Sequence, residues 1–139
     1  MDTSFKYIAM CLDSEKIVTG HIWEEGDYYC NLDNCEIGIV KDATKIRINH
    51  VWLPKQDQLQ CLATQQERSN EPKSFCGFYL YCDFCKWLLH HVDESNQNPF
   101  YFYSEINHNS MEQIWLSYVM YKCYKKTWNG KEWKTVKED

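Results

Sequence analysis

The segment Ser110-Met-Glu-Gln-Ile-Trp-Leu-Ser-Tyr-Val-Met120 constrains the fold of this chain most. Ser110 and Gln113 form a capping box, in which the serine oxygen accepts an early helix N–H while the glutamine reaches back. Beyond it Met111, Ile114, Trp115, Tyr118, Val119 and Lys122 trace one helix face, and Leu116, Met120 and Cys123 occupy the opposite side. A helix that is apolar nearly all round must be wrapped by other elements, so this segment predicts a central helix. The rest of the chain has to supply the layers that cover it.

The first 52 residues carry strand patterns. Lys6–Leu12 and Lys16–Trp23 flank the polar turn Asp13-Ser14-Glu15 and predict one hairpin. Tyr28–Leu32 and Glu36–Val40 flank Asp33-Asn34 and predict a second, since Asp and Asn side chains bond locally and tolerate turn geometry. Lys45–Trp52 begins by alternating Ile46 and Ile48 with Lys45, Arg47 and Asn49, the pattern of a strand buried on one face. Together these predict an antiparallel meander of four or five strands.

The pattern changes at Leu53-Pro54. Proline suits the first turn of a helix, and Leu59, Leu62, Ala63 and Gln66 follow at helical spacing up to a stop before Pro72. A second helix is expected from Ser74, with an apolar stripe through Phe78, Tyr81, Cys82, Cys85, Leu88, Leu89 and Val92. Asp93–Pro99 reads as a polar loop, and Phe100–Tyr103 as an edge strand or an extended loop on the core. Asn129-Gly130 predicts a two-residue hairpin that sets Trp128 opposite Lys131 with Trp133 as its diagonal neighbour. The expected fold is one α+β domain over residues 1–139, strand-rich in 1–52 and mainly helical in 53–139. It consists of an N-terminal antiparallel β-meander packed with three helices and a C-terminal Trp-rich hairpin.

Composition narrows the function classes. With 44% hydrophobic and 25% charged residues the chain can bury a core, which excludes a mainly disordered protein. A net charge of −5 weighs against generic nucleic-acid binding, which depends on lysine and arginine neutralising phosphates. No run approaches the roughly 20 apolar residues of a spanning helix, and the start lacks a basic segment followed by an apolar one. The expected location is the cytoplasm, with no membrane partner, and there the eight cysteines read mainly as small buried hydrophobes.

Two patterns could hold chemistry. Cys76-x5-Cys82-x2-Cys85-x4-His90-His91 contains the CxxC half-site common at zinc, and Cys30-x4-Cys35 could add a second pair. Core packing is the leading reading because Cys82 and Cys85 fall inside a helical stripe. The expectation is therefore no cofactor, with zinc on Cys30, Cys35, Cys82 and Cys85 as the alternative. The C-terminal Lys125, Lys126, Lys131 and Lys134, interleaved with Trp128 and Trp133, could contact single-stranded nucleic acid by charge and stacking. The leading reading there is a solvated helix end whose tryptophans cover the core. No nucleophile elbow and no glycine-rich phosphate cradle is present, so no catalytic residues are expected. Aromatics are enriched at interaction hot spots, which points to Trp23, Tyr28, Tyr29, Phe100, Tyr101, Phe102 and Tyr103 as contact residues for a protein partner.

Two stretches carry a resemblance: Trp52-Leu-Pro-Lys-Gln-Asp-Gln-Leu-Gln60, and Ser110–Met120 followed by Lys126-Thr-Trp-Asn-Gly-Lys-Glu-Trp133. They resemble the opening and closing parts of a group of small uncharacterised proteins encoded by phages and prophages of low-GC Gram-positive bacteria. The likeness runs from Trp52 to Trp133, and the chain departs from it in Cys76–His91 and in the N-terminal third. The resemblance implies a non-enzymatic accessory protein in a bacterial host cytoplasm, acting by binding a host or phage protein, for example by inhibiting a host defence factor. It transfers no catalytic residue.

Overall fold

The computed structural model describes residues 1–14, 17, 19–65, 76–90 and 110–136. Among them the fold is α+β, with four α-helices and five short strands in two antiparallel sheets. The helices are α1 (Phe5–Asp13), α2 (Gln56–Gln65), α3 (Cys76–His90) and α4 (Met111–Tyr124). The strands are β1 (Tyr28–Asn31), β2 (Glu36–Ile39), β3 (His50–Leu53), β4 (Lys126–Trp128) and β5 (Trp133–Thr135). Phe100–Tyr103 and the Asp93–Pro99 loop lie outside the described residues.

Helix α4 is central. Eight consecutive residues, Gln113–Met120, are buried, as the all-round apolar pattern requires. It packs against α1, α2 and β4. Ser110 caps it, its Oγ accepting the Gln113 N–H at 3.2 Å. The Gln113 side chain turns to the N-terminal segment, donating to Asp2 Oδ2 at 2.6 Å and to Ser4 Oγ at 3.2 Å, while Ser110 Oγ donates to the same Asp2 oxygen. These bonds hold the Asp2 carboxyl below its ordinary range although partial burial pushes it upward.

The first 14 residues depart from expectation. Lys6–Leu12 is not a strand but the body of α1, capped by Ser4, whose Oγ accepts the Tyr7 N–H. Tyr7, Met10, Cys11 and Ser14 are buried at i, i+3, i+4 and i+7, a helical spacing inside a run that is too short and uniformly apolar to show period two. The Tyr7 hydroxyl donates to the Pro54 carbonyl at 2.5 Å, fixing α1 beside β3. Lys16 and Val18, in the expected partner strand, lie outside the described residues, and His21–Trp23 belong to no strand.

The main sheet has three strands in the order β2-β1-β3, smaller than the expected meander. The β1–β2 hairpin forms as expected, pairing Cys30 with Ile37 and Asn31 with Glu36. Lys45–Trp52 is a strand only from His50. Before that Ala43–Lys45 forms a single 3-10 turn capped by Asp42, and Ile48 is fully exposed, so its alternation with polar neighbours reflects no buried face. Val51, Trp52 and Leu53 are all buried because β3 is covered on both faces.

Helix α3 buries a different stripe from the one its sequence suggests. Leu80, Phe84 and Trp87 face the core, while Tyr81 and Leu89 are exposed and Cys82 and Cys85 are half-buried. Val92 and the Phe78 side chain lie outside the described residues. The large rings decide the face, since they remove more apolar area from water than cysteines do. Phe84 stacks on Trp115 with centroids 3.9 Å apart, and Trp87 meets Tyr118 edge-on at 5.4 Å. Asp83 at the margin accepts from Tyr118 Oη at 3.0 Å and from Lys122 Nζ at 2.8 Å.

The C-terminal hairpin pairs Trp128 directly with Trp133, rather than with Lys131. Asn129–Glu132 form a four-residue connection, because Asn129 Oδ1 accepts the N–H groups of both Lys131 and Glu132. The two indoles meet at 5.1 Å and 60°. Trp133 is buried, and its indole N–H donates to the Met10 carbonyl, closing the hairpin onto α1.

Candidate functional site

A polar arrangement joins the 21–27 segment, just ahead of the main sheet, to the start of α2. Gly26, with φ +92°, turns the chain into β1 and sets Asp27 just ahead of Tyr28. The Asp27 carboxylate is almost fully buried and meets three partners. Oδ1 accepts Gln58 Nε2 at 2.6 Å, and Oδ2 accepts the Glu24 N–H at 2.9 Å and meets His21 Nε2 at 2.6 Å. These donors hold its carboxyl below the ordinary carboxylate range against the opposing effect of burial. Gln58 is itself fixed, because its Oε1 accepts the Lys55 N–H at the start of α2.

His21 is held by rings as well as by charge. Its imidazole lies parallel to the Trp52 indole, with centroids 3.4 Å apart and planes 2° off, and Trp23 meets it edge-on at 5.4 Å. In the neutral ring, Asp27 at Nε2 selects the tautomer with its proton there and Nδ1 is the acceptor. Beside this pair lies a hollow of about 440 Å³, lined by His21, Trp52, Gln58, Cys61, Leu62 and Tyr124 among others. A carboxylate-oriented histidine is the usual setting of a general base, yet among the described residues no thiol or hydroxyl hydrogen-bonds His21. The arrangement can receive a hydrogen-bond donor, and the Cys61 thiol lines the same hollow.

The sequence-derived site residues are dispersed. Trp23 and Tyr28 are half-buried against the core, with Lys55 Nζ 5.4 Å from the Tyr28 ring centre. Tyr29 stacks on His50 at 4.4 Å and covers Gly38. None of these three rings stands free, and Phe100, Tyr101, Phe102 and Tyr103 lie outside the described residues. Cys30 is buried, which raises its thiol pKa, and Cys35 is exposed at the hairpin turn with φ +56°. Cys30 and Cys35 sit at the main sheet while Cys82 and Cys85 sit on α3. Among the described residues no three His, Cys, Asp or Glu side chains stand close enough to share a metal ion.

At the C-terminus Lys125, Lys131 and Lys134 are exposed, whereas Lys126 and Trp128 are half-buried and Trp133 is buried. Lys125 lies over Tyr121, and Lys134 reaches Glu132 at 3.6 Å. The charge is available to solvent, but Trp133 offers no open face for a base. Exposed large apolar side chains gather on α3, where Tyr79 is 56%, Tyr81 62% and Leu89 69% exposed, while Phe5 on α1 is 83% exposed. No helix of the described residues is long and apolar enough to cross a membrane. No family model, curated protein or solved structure matches the chain.

Proposed function

We propose that the chain is a non-enzymatic accessory protein of the phage or prophage type, working in the cytoplasm of a bacterial host by binding another protein. One observation supports this most: α3 is apolar on two sides. Leu80, Phe84 and Trp87 fill the core, and a second stripe of Tyr81, Cys82, Cys85 and Leu89 runs along the outer side at helical spacing. Exposed tyrosine and leucine cost solubility in a monomer, and such a stripe is the form in which one helix docks into a partner's groove. The resemblance of Trp52–Gln60, Ser110–Met120 and Lys126–Trp133 to phage-encoded proteins supports the biological setting, including inhibition of a host defence factor as one mode.

The test places a photo-crosslinking amino acid at Tyr81 and compares capture from host lysate by the otherwise unchanged protein and by a Leu89→Glu version of it. A crosslinked protein that disappears with Leu89→Glu, at unchanged thermal stability, supports the reading. Capture that survives Leu89→Glu, or no crosslinked protein at all, rejects α3 as the docking face.

A further inference from the structure

We infer that the hollow beside His21 is a binding site for a primary aliphatic ammonium group, with its polar end at His21 and its carbon stem along the apolar wall. The inference rests on the composition of the lining and on the locked state of the histidine, and it is independent of the α3 surface.

The acceptor comes first. Asp27 takes Nε2 of His21 and is held in place by Gln58 on Oδ1 and the Glu24 N–H on Oδ2. Trp52 lies parallel to the imidazole and fixes its plane. The ring therefore presents Nδ1 in one orientation, without a hydrogen bond of its own among the described residues. A lone pair held in place by a buried carboxylate selects a ligand that donates.

The charge follows from the rest of the lining. Among the described lining residues Glu24 is the acid, and none is a lysine or arginine. Among these described residues an anion would meet the charge of Glu24, whereas an ammonium group meets an acid, a fixed acceptor and the ring of Tyr124. Ile17, Ile22 and Leu62 complete the wall. Ile22 is 83% exposed at its edge, an apolar group with no core role that a carbon stem would cover. The volume, about 440 Å³, falls in the range of small-molecule sites.

The chemistry fits both a free alkylamine and a lysine side chain of another protein, because both carry the same head group on an unbranched stem. The experiment is an NMR titration at pH 8 with n-butylammonium, n-butanol and butyrate, following the ring signals of His21, Trp52 and Tyr124 and the methyls of Leu62. Saturable shifts with butylammonium are expected, with butanol about tenfold weaker or more and butyrate inactive, as a charge-dependent contact requires. Glu24→Gln, a substitution at an exposed position, should weaken butylammonium about threefold to tenfold. Spermidine and Nα-acetyl-lysine methylamide then separate the two sources of the head group. The inference is overturned if butanol or butyrate binds as tightly as butylammonium, if no saturation occurs, or if Glu24→Gln leaves the affinity unchanged.

Discussion

The indole N–H of Trp133 donates to the Met10 carbonyl at 2.9 Å, joining the last strand to the first helix across 123 residues. The backbone N–H of Trp133 adds a bond to Asp13 Oδ2 at 2.7 Å. Trp133→Phe keeps most of the apolar contact and leaves the Met10 carbonyl without its partner. Chemical denaturation should show a loss of about 1–3 kcal/mol, with the slope of the transition unchanged.

Two substitutions on α3 distinguish its sides. Phe84→Ala removes a ring stacked on Trp115 in the core and should cost about 3–5 kcal/mol. Tyr81→Ala, on the exposed stripe, should stay within about 0.5 kcal/mol. Thermal melts of the pair decide whether the outer stripe is free for a partner. Equal losses would show that it is part of the core.

Asp27→Asn keeps the shape of the side chain but replaces Oδ2 by an amide that cannot accept from His21 and the Glu24 N–H. The expected loss is about 2–4 kcal/mol by denaturation, because the bonds broken involve a buried charge. In the same variant the His21 ring should lose its fixed tautomer, visible in its imidazole nitrogen shifts.

A β-carbon at position 38 would lie 2.4 Å from Cζ of Tyr29. Gly38→Ala must therefore swing the Tyr29 ring away and break its stack on His50, at a cost of about 1 kcal/mol. Nuclear Overhauser contacts between those two rings should vanish. Retained contacts would show that the strand backbone yields instead.

Stability should fall at both ends of the pH scale. The carboxyls of Asp2, Asp27 and Asp83 are held below 3.8 by their hydrogen bonds, with Lys122 the main cause at Asp83. A group whose folded pKa is depressed contributes stability above its unfolded value, and that stability is lost as pH falls through the folded one. Tyr118 behaves oppositely: burial pushes its phenol up to about 12, so its contribution is complete below pH 10 and lost as pH rises through about 12. Denaturation midpoints should decline below about 4 and, because burial raises the Cys11, Cys30 and Cys123 thiols as well as Tyr118, decline again above about 8.5, the unfolded ranges of these groups.

What the sequence revealed was local. Helix α4 and its Ser110 cap, the start of α2 after Pro54 and the β1–β2 hairpin were all legible, because each rests on signals a few residues apart. Helix α1 was not: Lys6–Leu12 is a short apolar run that suits a strand as well as a helix, and the deciding signal was the cap at Ser4. The face of α3 was misjudged because the pattern weighted Cys82 and Cys85 like Phe84 and Trp87, whereas ring area decides burial. The His21–Asp27–Gln58 cluster was illegible for another reason. Its members come from a turn, the approach to a strand and a helix start, and only the folded sheet brings them together.

The clasp between Asp2 and the cap of α4 carries a consequence for how this chain is made. Synthesis delivers α1 well before α4, and while β3 and Pro54 follow early, other partners arrive late: Ser110 and Gln113 for Asp2, Trp133 for Met10. At roughly 5–20 residues per second, the Met10 carbonyl waits roughly 6–25 s for its indole. Through that interval β3 already covers one side of α1, and the side that packs on α4 waits open to solvent until the C-terminal third emerges.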